Sequence, residues 1–402
     1  MHVLLIHQAF AALDEPGGTR HHELARFLAQ RGHRVTVIAS PVSYLTGKTR
    51  SALESASPDP EQPGVTILRT YTYSALHRSF IHRVFSFLSF MLSSFWAGMQ
   101  VPQVDLVWGT SPPIFQGLTA WALARLKRKP LLFEVRDLWP DFAIQVGVLK
   151  NPLLIRLSYW LERFLYRRAD QLIVNSPGFV EHIQERGGRD VRVIPNGVDP
   201  AMFDPPAAGL GLRQAHGLLD KFIVMYAGAH GMSNDLAVAL EAARLLQEEP
   251  DIVIVLVGDG KEKPALMAKS AALGLRNVIF LPPVAKTGMA ETLAAADACL
   301  AILKPIPMYA TVFPNKVFDY MAASRPVLLA IDGVIRQVVE EADCGIFIPP
   351  GNPAALAAGV RRLAEDRAWA RAMGARGRLC VEQKFDRTKL AESLAELIEG
   401  MR

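Results

Sequence analysis

The sequence predicts an α/β protein of two parallel-sheet domains. Strand-like apolar runs alternate with helical patterns twice along the chain, first from His2 to Ile194 and again from Phe222 onward. A length of 402 residues suits two domains that each bury a core, and a composition half hydrophobic and 21% charged excludes a disordered chain. Between the two series, the run Pro205 to Gly209 reads as linker.

Charge is unevenly placed. Residues 1–200 carry 22 Lys/Arg against 16 Asp/Glu, a balance of +6, and the remainder 22 against 23, or −1, which sums to the overall +5. A basic first half points to an anionic partner, but no long Lys/Arg run or basic aromatic strand argues for nucleic acid. Cys299, Cys344 and Cys380 are odd in number and widely spaced, as in reduced cysteines of a cytoplasmic protein. The apolar run at Met1 to His7 is too short for a signal peptide and reads as a buried strand.

In order along the chain, His2 to His7 is the first strand, a loop with Gly17 and Gly18 follows, and a helix from about Arg20 to Arg31 ends at Gly32. The glycine pair lets backbone approach a ligand at the strand's carboxyl end. Three spaced glycines of a dinucleotide fingerprint are absent, which argues against a conventional NAD enzyme. Arg34 to Ala39 is the second strand, and Glu54 to Gly64, rich in Pro, Ser and acid, reads as an exposed loop.

Residues 84–104 hold no charged side chain and include Phe85, Phe87, Phe90, Phe95 and Trp96, with His77, Arg78, His82 and Arg83 just before them. Three readings stay open for Leu76 to Gln103: a spanning helix, a core helix, or a helix on a membrane surface with its basic end at the head groups. Ser86, Ser89, Ser93 and Ser94 dilute the run, and a span would split the sheet around it. Pro152 to Arg168 is an amphipathic helix whose Arg156, Arg163, Arg167 and Arg168 extend such a basic surface.

Asp105 to Thr110 and Leu131 to Val135 are further strands. At the end of the latter stands Glu134-Val135-Arg136-Asp137-Leu138-Trp139-Pro140. Ligands bind at the carboxyl ends of parallel strands, so Glu134, Arg136 and Asp137 are candidates for a reacting centre; a structural ion pair is the plainer alternative. In the second series, glycine turns follow the strands at Gly228-Ala229-His230-Gly231 and Gly258-Asp259-Gly260, and Pro282-Pro283-Val284 follows a third.

From Tyr309 to Leu329 a turn at Pro314-Asn315 opens a helical pattern with Lys316 and Asp319 three apart on one face. Free N–H groups, the dipole's positive pole and an ammonium together suit a diphosphate, and a neighbouring carboxylate can accept from ribose hydroxyls. An amphipathic helix with a solvated Lys and Asp is the alternative.

That stretch resembles the donor-binding segment of retaining GT-B glycosyltransferases of family 4, where an acidic residue before Tyr-Met-Ala meets the ribose of a nucleotide sugar; Asp319 falls there. The usual pattern has two Glu separated by seven residues. Here Thr311 stands in the first place, and the second is shortened to Asp. Glu134 to Pro140, residues 17–25 and residues 109–113 resemble the bacterial amino-sugar transferases of that family, N-acetyl-fucosaminyltransferase-like members among them, which build O-antigen, capsule and exopolysaccharide units.

The resemblance implies two Rossmann-like domains facing across a cleft. Residues 1–197, completed by a C-terminal helix in 384–402, would take the acceptor and membrane side, and residues 198–383 the nucleotide sugar. It implies donor contacts at Gly17, Gly18, Gly228, His230, Gly231, Gly258, Val284, Asn315, Lys316 and Asp319, with Val284 in the loop that reads the base, in favour of uracil. Asp137, then Glu134 and Arg136, are expected near the donor sugar or the reacting hydroxyl, and Lys316 at the leaving group. No cofactor or metal ion is expected beyond a UDP-sugar donor. The expected acceptor is a sugar on a polyprenyl diphosphate, reached by a chain lying peripherally on the inner face of the cell membrane. A nucleotide-sugar 2-epimerase of the same fold, and a catalytically silent membrane-bound scaffold, remain alternatives.

Overall fold

The structure of the protein, a computed structural model, describes residues 1–11, 19–42, 56–58, 64–74, 80–203 and 209–401. The chain divides into two compact units, one of Met1–Pro195 with Thr388–Arg402, the other of Asn196–Arg387.

In the first unit the elements run β1 (His2–Ile6), α1 (Arg20–Gln30), β2 (Arg34–Ala39), β3 (Ala56–Pro58), β4 (Val65–Arg69), α2 (Phe80–Gln100) and β5 (Leu106–Ser111). They continue as α3 (Phe115–Lys127), β6 (Leu131–Val135), α4 (Asp141–Gln145), α5 (Pro152–Arg168), β7 (Gln171–Val174), α6 (Val180–Glu185) and β8 (Val191–Val193). The sheet order is β3-β4-β2-β1-β5-β6-β7-β8, parallel throughout except for β3. Residues 54–64, expected as an exposed loop, therefore contain a strand, β3, which pairs antiparallel with β4. Its Pro58 is tolerated because this is an edge strand, where a missing N–H breaks no central ladder.

The order of strands reverses between β1 and β5, which makes the carboxyl ends of those two strands the ligand-binding crevice of such a sheet. His7 and Gln8 follow β1, and Ser111 and Pro112 lie at the end of β5.

α2 settles part of the three-way reading of residues 76–103. Among the described residues no helix is long and apolar enough to cross a membrane, so the spanning alternative falls. Nor is α2 a simple core helix. Phe90, Ser94 and Gly98 are buried, and a Cβ at Gly98 would meet Leu123 Cδ1 of α3 at 2.5 Å. Phe85, Leu88, Leu92, Trp96 and Met99 are exposed.

The second unit runs α7 (Leu210–Ala215), β9 (Phe222–Ala227), α8 (Leu236–Leu245), β10 (Ile252–Val257), α9 (Lys263–Ala272), β11 (Val278–Leu281), α10 (Met289–Ala294) and β12 (Ala298–Ile302). It ends with α11 (Asn315–Ala322), β13 (Val327–Ala330), α12 (Val334–Glu341), β14 (Gly345–Phe347), α13 (Pro353–Glu365) and α14 (Arg367–Lys384). Its sheet, β11-β10-β9-β12-β13-β14, is parallel throughout.

The unbroken apolar strands β9 and β10 follow from burial on both faces. Alternate side chains point to opposite sides. Ile223, Met225, Val253 and Val255 join a core with α11 and α12, while Phe222, Val224, Ile252 and Ile254 join another with α8 and α13.

The last helix, α15 (Arg387–Gly400), leaves the second unit at its first residue. Ala391, Leu394, Ala395 and Ile398 then pack with Leu24 and Leu28 of α1 and with β1, β2 and β5 in the core of the first unit. Leu394 is wholly buried. We expect Leu394→Ala to remove about 2–5 kcal/mol of stability, read as a lower urea midpoint of the first unit.

Candidate active site

α11 is held on the end of β9 by one hydroxyl. The buried Tyr320 Oη accepts from Ala227 N (3.0 Å) and lies 3.3 Å from Ala227 O, to which it donates. This places the start of α11 beside the loop that follows β9. Pro314, before the first turn, offers no side-chain cap, so the leading N–H groups of α11 are left without a side-chain acceptor.

Lys316 reaches from that turn over the ring of Tyr226, with Nζ 4.0 Å from the centroid, and donates to Tyr226 Oη (2.8 Å) and Asn234 Oδ1 (3.3 Å). No carboxylate pairs with it among the described residues. Loss of hydration therefore pulls its ammonium down to about 7. A Cβ on Gly228 would stand 3.2 Å from Nζ, so the lysine and this glycine border the same space.

Gly228 and Gly258 both adopt positive φ, +151° and +144°. A Cβ at Gly258 would come within 1.9 Å of Gly228 O, so only glycine lets the two loops meet. His230 lies beneath them, wholly buried, its main chain tied to Asp259 O and Glu262 N. Burial holds its imidazole down to about 4, so it is a neutral wedge between loops and supplies no cation at this position. Lys263 Nζ donates to Gly258 O (2.7 Å) and Leu281 O (2.9 Å) and fixes the same turn from behind.

Asp319 turns elsewhere. Its Oδ1 pairs with Lys286 Nζ at 2.5 Å, in the segment just after Pro282-Pro283-Val284. Lys316 and Asp319 thus leave one helix toward different partners.

In the first unit Glu134, at the end of β6, is completely buried. Arg20 Nε donates to its Oε1 (3.1 Å), and His21 Nε2 lies 2.6 Å from Oε2. Burial opposes ionisation, but His21, Arg20 and Arg136 outweigh it and hold the carboxyl well below the usual range. Burial keeps His21 down at about 4, so the arginine is the counter-charge and the neutral imidazole donates from Nε2. Arg20 also donates to the carbonyls of Pro195 and Ile194, both at 2.8 Å. Glu134 was expected near the reacting hydroxyl; instead its carboxylate is enclosed by structural partners, because a buried charge is stable only when paired.

Asp137 and Arg136 lie in the loop beyond. Arg136 Nη2 donates to Pro112 O (3.0 Å). Burial raises the Asp137 carboxyl to about 6, against the pull of Arg136.

Of the residues singled out from sequence, Gly228, His230, Gly258 and Lys316 come together in the second unit, with Gly231 in the same loop, Asn315 opening α11 and Val284 packed at the edge of the core. Gly17 and Gly18 lie outside the described residues. Sequence reasoning missed Tyr226, Asn234, Tyr320 and Lys286. Tyr320 alone carried a signal, an aromatic on the inward face of a short amphipathic helix. Among the described residues no group of three His, Cys, Asp or Glu could hold a metal ion.

Residues 17–197 match a family model described as glycosyl transferase 4-like domain, and residues 221–366 one described as glycosyl transferases group 1. Two glycosyltransferase domains make up this chain. The glycosyltransferase is 26% identical over 353 residues to a putative colanic acid biosynthesis glycosyl transferase, WcaI, of Escherichia coli (strain K12), covering 85% of this chain and 86% of that one. Its fold matches Anabaena Alr3699/HepE in complex with UDP-glucose with a TM-score of 0.75, at 20% identity and complete coverage of both chains. WaaG, a glycosyltransferase involved in lipopolysaccharide biosynthesis, matches with a TM-score of 0.73 at 18% identity, over 99% of this chain and 100% of that one. The architecture is that of a GT-B glycosyltransferase.

Glu134→Gln in this glycosyltransferase would remove the buried carboxylate that pairs with Arg20 and His21. A loss of about 3–5 kcal/mol in unfolding free energy is expected; a urea midpoint equal to that of the parent chain would show that the pair carries no such load.

Proposed function

We propose that the chain transfers a sugar, an N-acetylated amino sugar, from a UDP-sugar to a lipid-linked or glycan acceptor, with retention of configuration and without a metal ion. The setting of this reading is O-antigen, capsule or exopolysaccharide assembly; the relatives named for colanic acid and lipopolysaccharide biosynthesis support polysaccharide assembly in general. One observation carries the donor assignment. Lys316 is an ammonium with no carboxylate partner among the described residues, held over Gly228 at a helix start without a side-chain cap, which is the geometry for a diphosphate. The UDP and UDP-glucose complexes of Alr3699/HepE support the choice of nucleotide.

In this reading the diphosphate lies between Lys316, the leading N–H groups of α11 and the loop at Gly228. Asp319, oriented by Lys286, accepts from the ribose hydroxyls. The bond from the sugar's anomeric carbon to the β-phosphate oxygen breaks as the acceptor oxygen bonds to that carbon on the same face. The acceptor's proton passes to the departing phosphate oxygen, and UDP leaves. Negative charge on the diphosphate grows during this step, so the ammonium and helix N–H groups bind the transition state more tightly than the ground state. We assign Asp137 of the first unit to orienting the acceptor hydroxyl. The exposed row on α2 is the surface that brings the chain to the inner face of the membrane, where a polyprenyl-linked acceptor resides.

Asp319→Ala should weaken UDP binding about tenfold or more, the worth of a charged hydrogen bond; unchanged affinity by calorimetry would reject the ribose role. A UDP-sugar converted to its epimer without acceptor would replace the transferase reading altogether.

The pH dependence follows from two groups. The diphosphate needs Lys316 protonated, and its free-state value is about 7, so donor affinity falls as pH rises through 7. Asp137 orients the acceptor hydroxyl through a charged hydrogen bond only when ionised, above about 6. We expect kcat/KM to peak between these values, with Asp137→Asn abolishing the acid limb and Lys316→Ala the alkaline one. A flat profile from pH 5 to 9 would remove both assignments.

A further inference from the structure

At the carboxyl ends of the neighbouring strands β1, β5 and β6, aromatic rings from three different elements of the first unit lie together. Phe87 of α2 stacks on Phe115 of α3 at 5.7 Å, and Phe115 meets Trp139, in the loop after β6, edge to face at 5.7 Å. Each ring is partly open to solvent. Trp139 N donates to Asp137 O at 3.0 Å, which ties the third ring to the residue assigned to the acceptor hydroxyl.

Polar groups close the cluster on one side. Gln116, next to Phe115, accepts from Gln8 N at 2.7 Å and donates to Pro112 O at 3.2 Å, and Arg136 Nη2 donates to the same carbonyl at 3.0 Å. The side chain of Gln8 reaches Ser86, beside Phe87, with Nε2 3.5 Å from Oγ. Gln8 is 9% exposed, and its Oε1 is buried with no hydrogen-bond partner among the described residues. A buried carbonyl oxygen without a donor costs stability, so Oε1 marks a place where a donor arrives.

We propose that Phe87, Phe115 and Trp139 are the platform on which a pyranose ring of the acceptor stacks, with one of its hydroxyls donating to Gln8 Oε1. The inference rests on the reading of the acceptor as a glycan or a sugar-bearing lipid, and gives that sugar a site. Chemistry selects the occupant. A pyranose presents C–H bonds on its face and hydroxyls at its edge, which matches aromatic rings beside a single unmet acceptor atom. A phosphate would bring oxygen lone pairs against those of Gln8. An isoprenoid chain would cover the rings and leave Oε1 unmet. An acceptor held by a sugar ring already carries one, so a reaction that attaches a sugar to the lipid or glycan precedes this one.

The test is saturation-transfer NMR on the full chain with the methyl α-glycosides of glucose, galactose, mannose and N-acetylglucosamine, and with farnesyl phosphate and uridine as competitors. Transfer to the ring C–H protons of at least one glycoside is expected. Trp139→Ala should weaken its binding about tenfold, and Trp139→Phe should recover most of that loss. Gln8→Met should also weaken binding about tenfold while its thermal midpoint stays at or above the parent's, because the variant removes an unmet buried carbonyl; a lowered midpoint would make this glutamine a residue of the fold and overturn its role. Gln8→Met and Trp139→Phe decide the matter where Trp139→Ala loses its cooperative melt. No transfer to any of the four glycosides overturns the proposal, as does unchanged binding in the variants, or displacement of the bound glycoside by farnesyl phosphate or uridine. The thermal shift given by UDP reads the donor assignment separately: glycoside binding without that shift sinks the donor reading and leaves this one standing, and the shift without glycoside binding does the reverse.

Discussion

The candidate site of the second unit depends on the contact between the Tyr320 hydroxyl and the backbone of Ala227. A buried phenol must find partners, and this one uses both polar groups of the last residue of β9. The contact fixes the start of α11 relative to the glycine loop, and everything charged in the second unit's site is measured from there. Lys316 lies one helical turn before Tyr320, so it projects over Tyr226 toward Gly228. The ring and two neutral acceptors hold the lysine head group without supplying a counter-charge. A carboxylate in their place would give a tighter apo structure and a site already filled.

In the first unit the corresponding fixed point is Glu134. A fully buried carboxylate is stable only with its charge and lone pairs met, and here α1 supplies both partners from adjacent residues, Arg20 and His21. Because Arg20 also binds the carbonyls of Ile194 and Pro195, the same guanidinium ties the N-terminal helix to the last residues of the unit. The Arg136–Asp137 loop is thereby anchored at its base. Asp137, one step beyond, keeps a carboxyl raised to about 6, a group poised to change charge where its neighbour cannot.

Much of this was legible in the sequence for a simple reason. Strands buried on both faces read as unbroken apolar runs, and the turns at their carboxyl ends are the places for glycine and charge, so Gly228, Gly258 and Lys316 announce themselves. Pairings across long separations do not. Lys286 meets Asp319 from 33 residues away, and His21 meets Glu134 across 113. Neither is visible to a reading of spacing, which is why Asp319 looked free for the face of Lys316 and Glu134 looked available for chemistry. The strand at residues 56–58 was hidden by its own composition, since Ala-Ser-Pro at an edge needs no apolar face to pair with β4.

The helix at 80–100 shows where composition stops deciding. A helix apolar all round belongs either in a core or in lipid, and its sequence contains both solutions at once. Gly98 lets α3 come close, and Phe90 and Ser94 share that buried face. Phe85, Leu88, Leu92, Trp96 and Met99, spaced by three, four, four and three residues, keep to one stripe and face outward. Trp96 is 67% exposed, an area whose transfer from water is favourable only once something apolar covers it. Serines on the remaining face bond back to the chain at 71–73, through Ser89 to Tyr73 N and Ser93 to Tyr71 O, so the helix cannot roll to hide the stripe without breaking them. The apolar face is held outward by the same packing that makes the helix part of the fold.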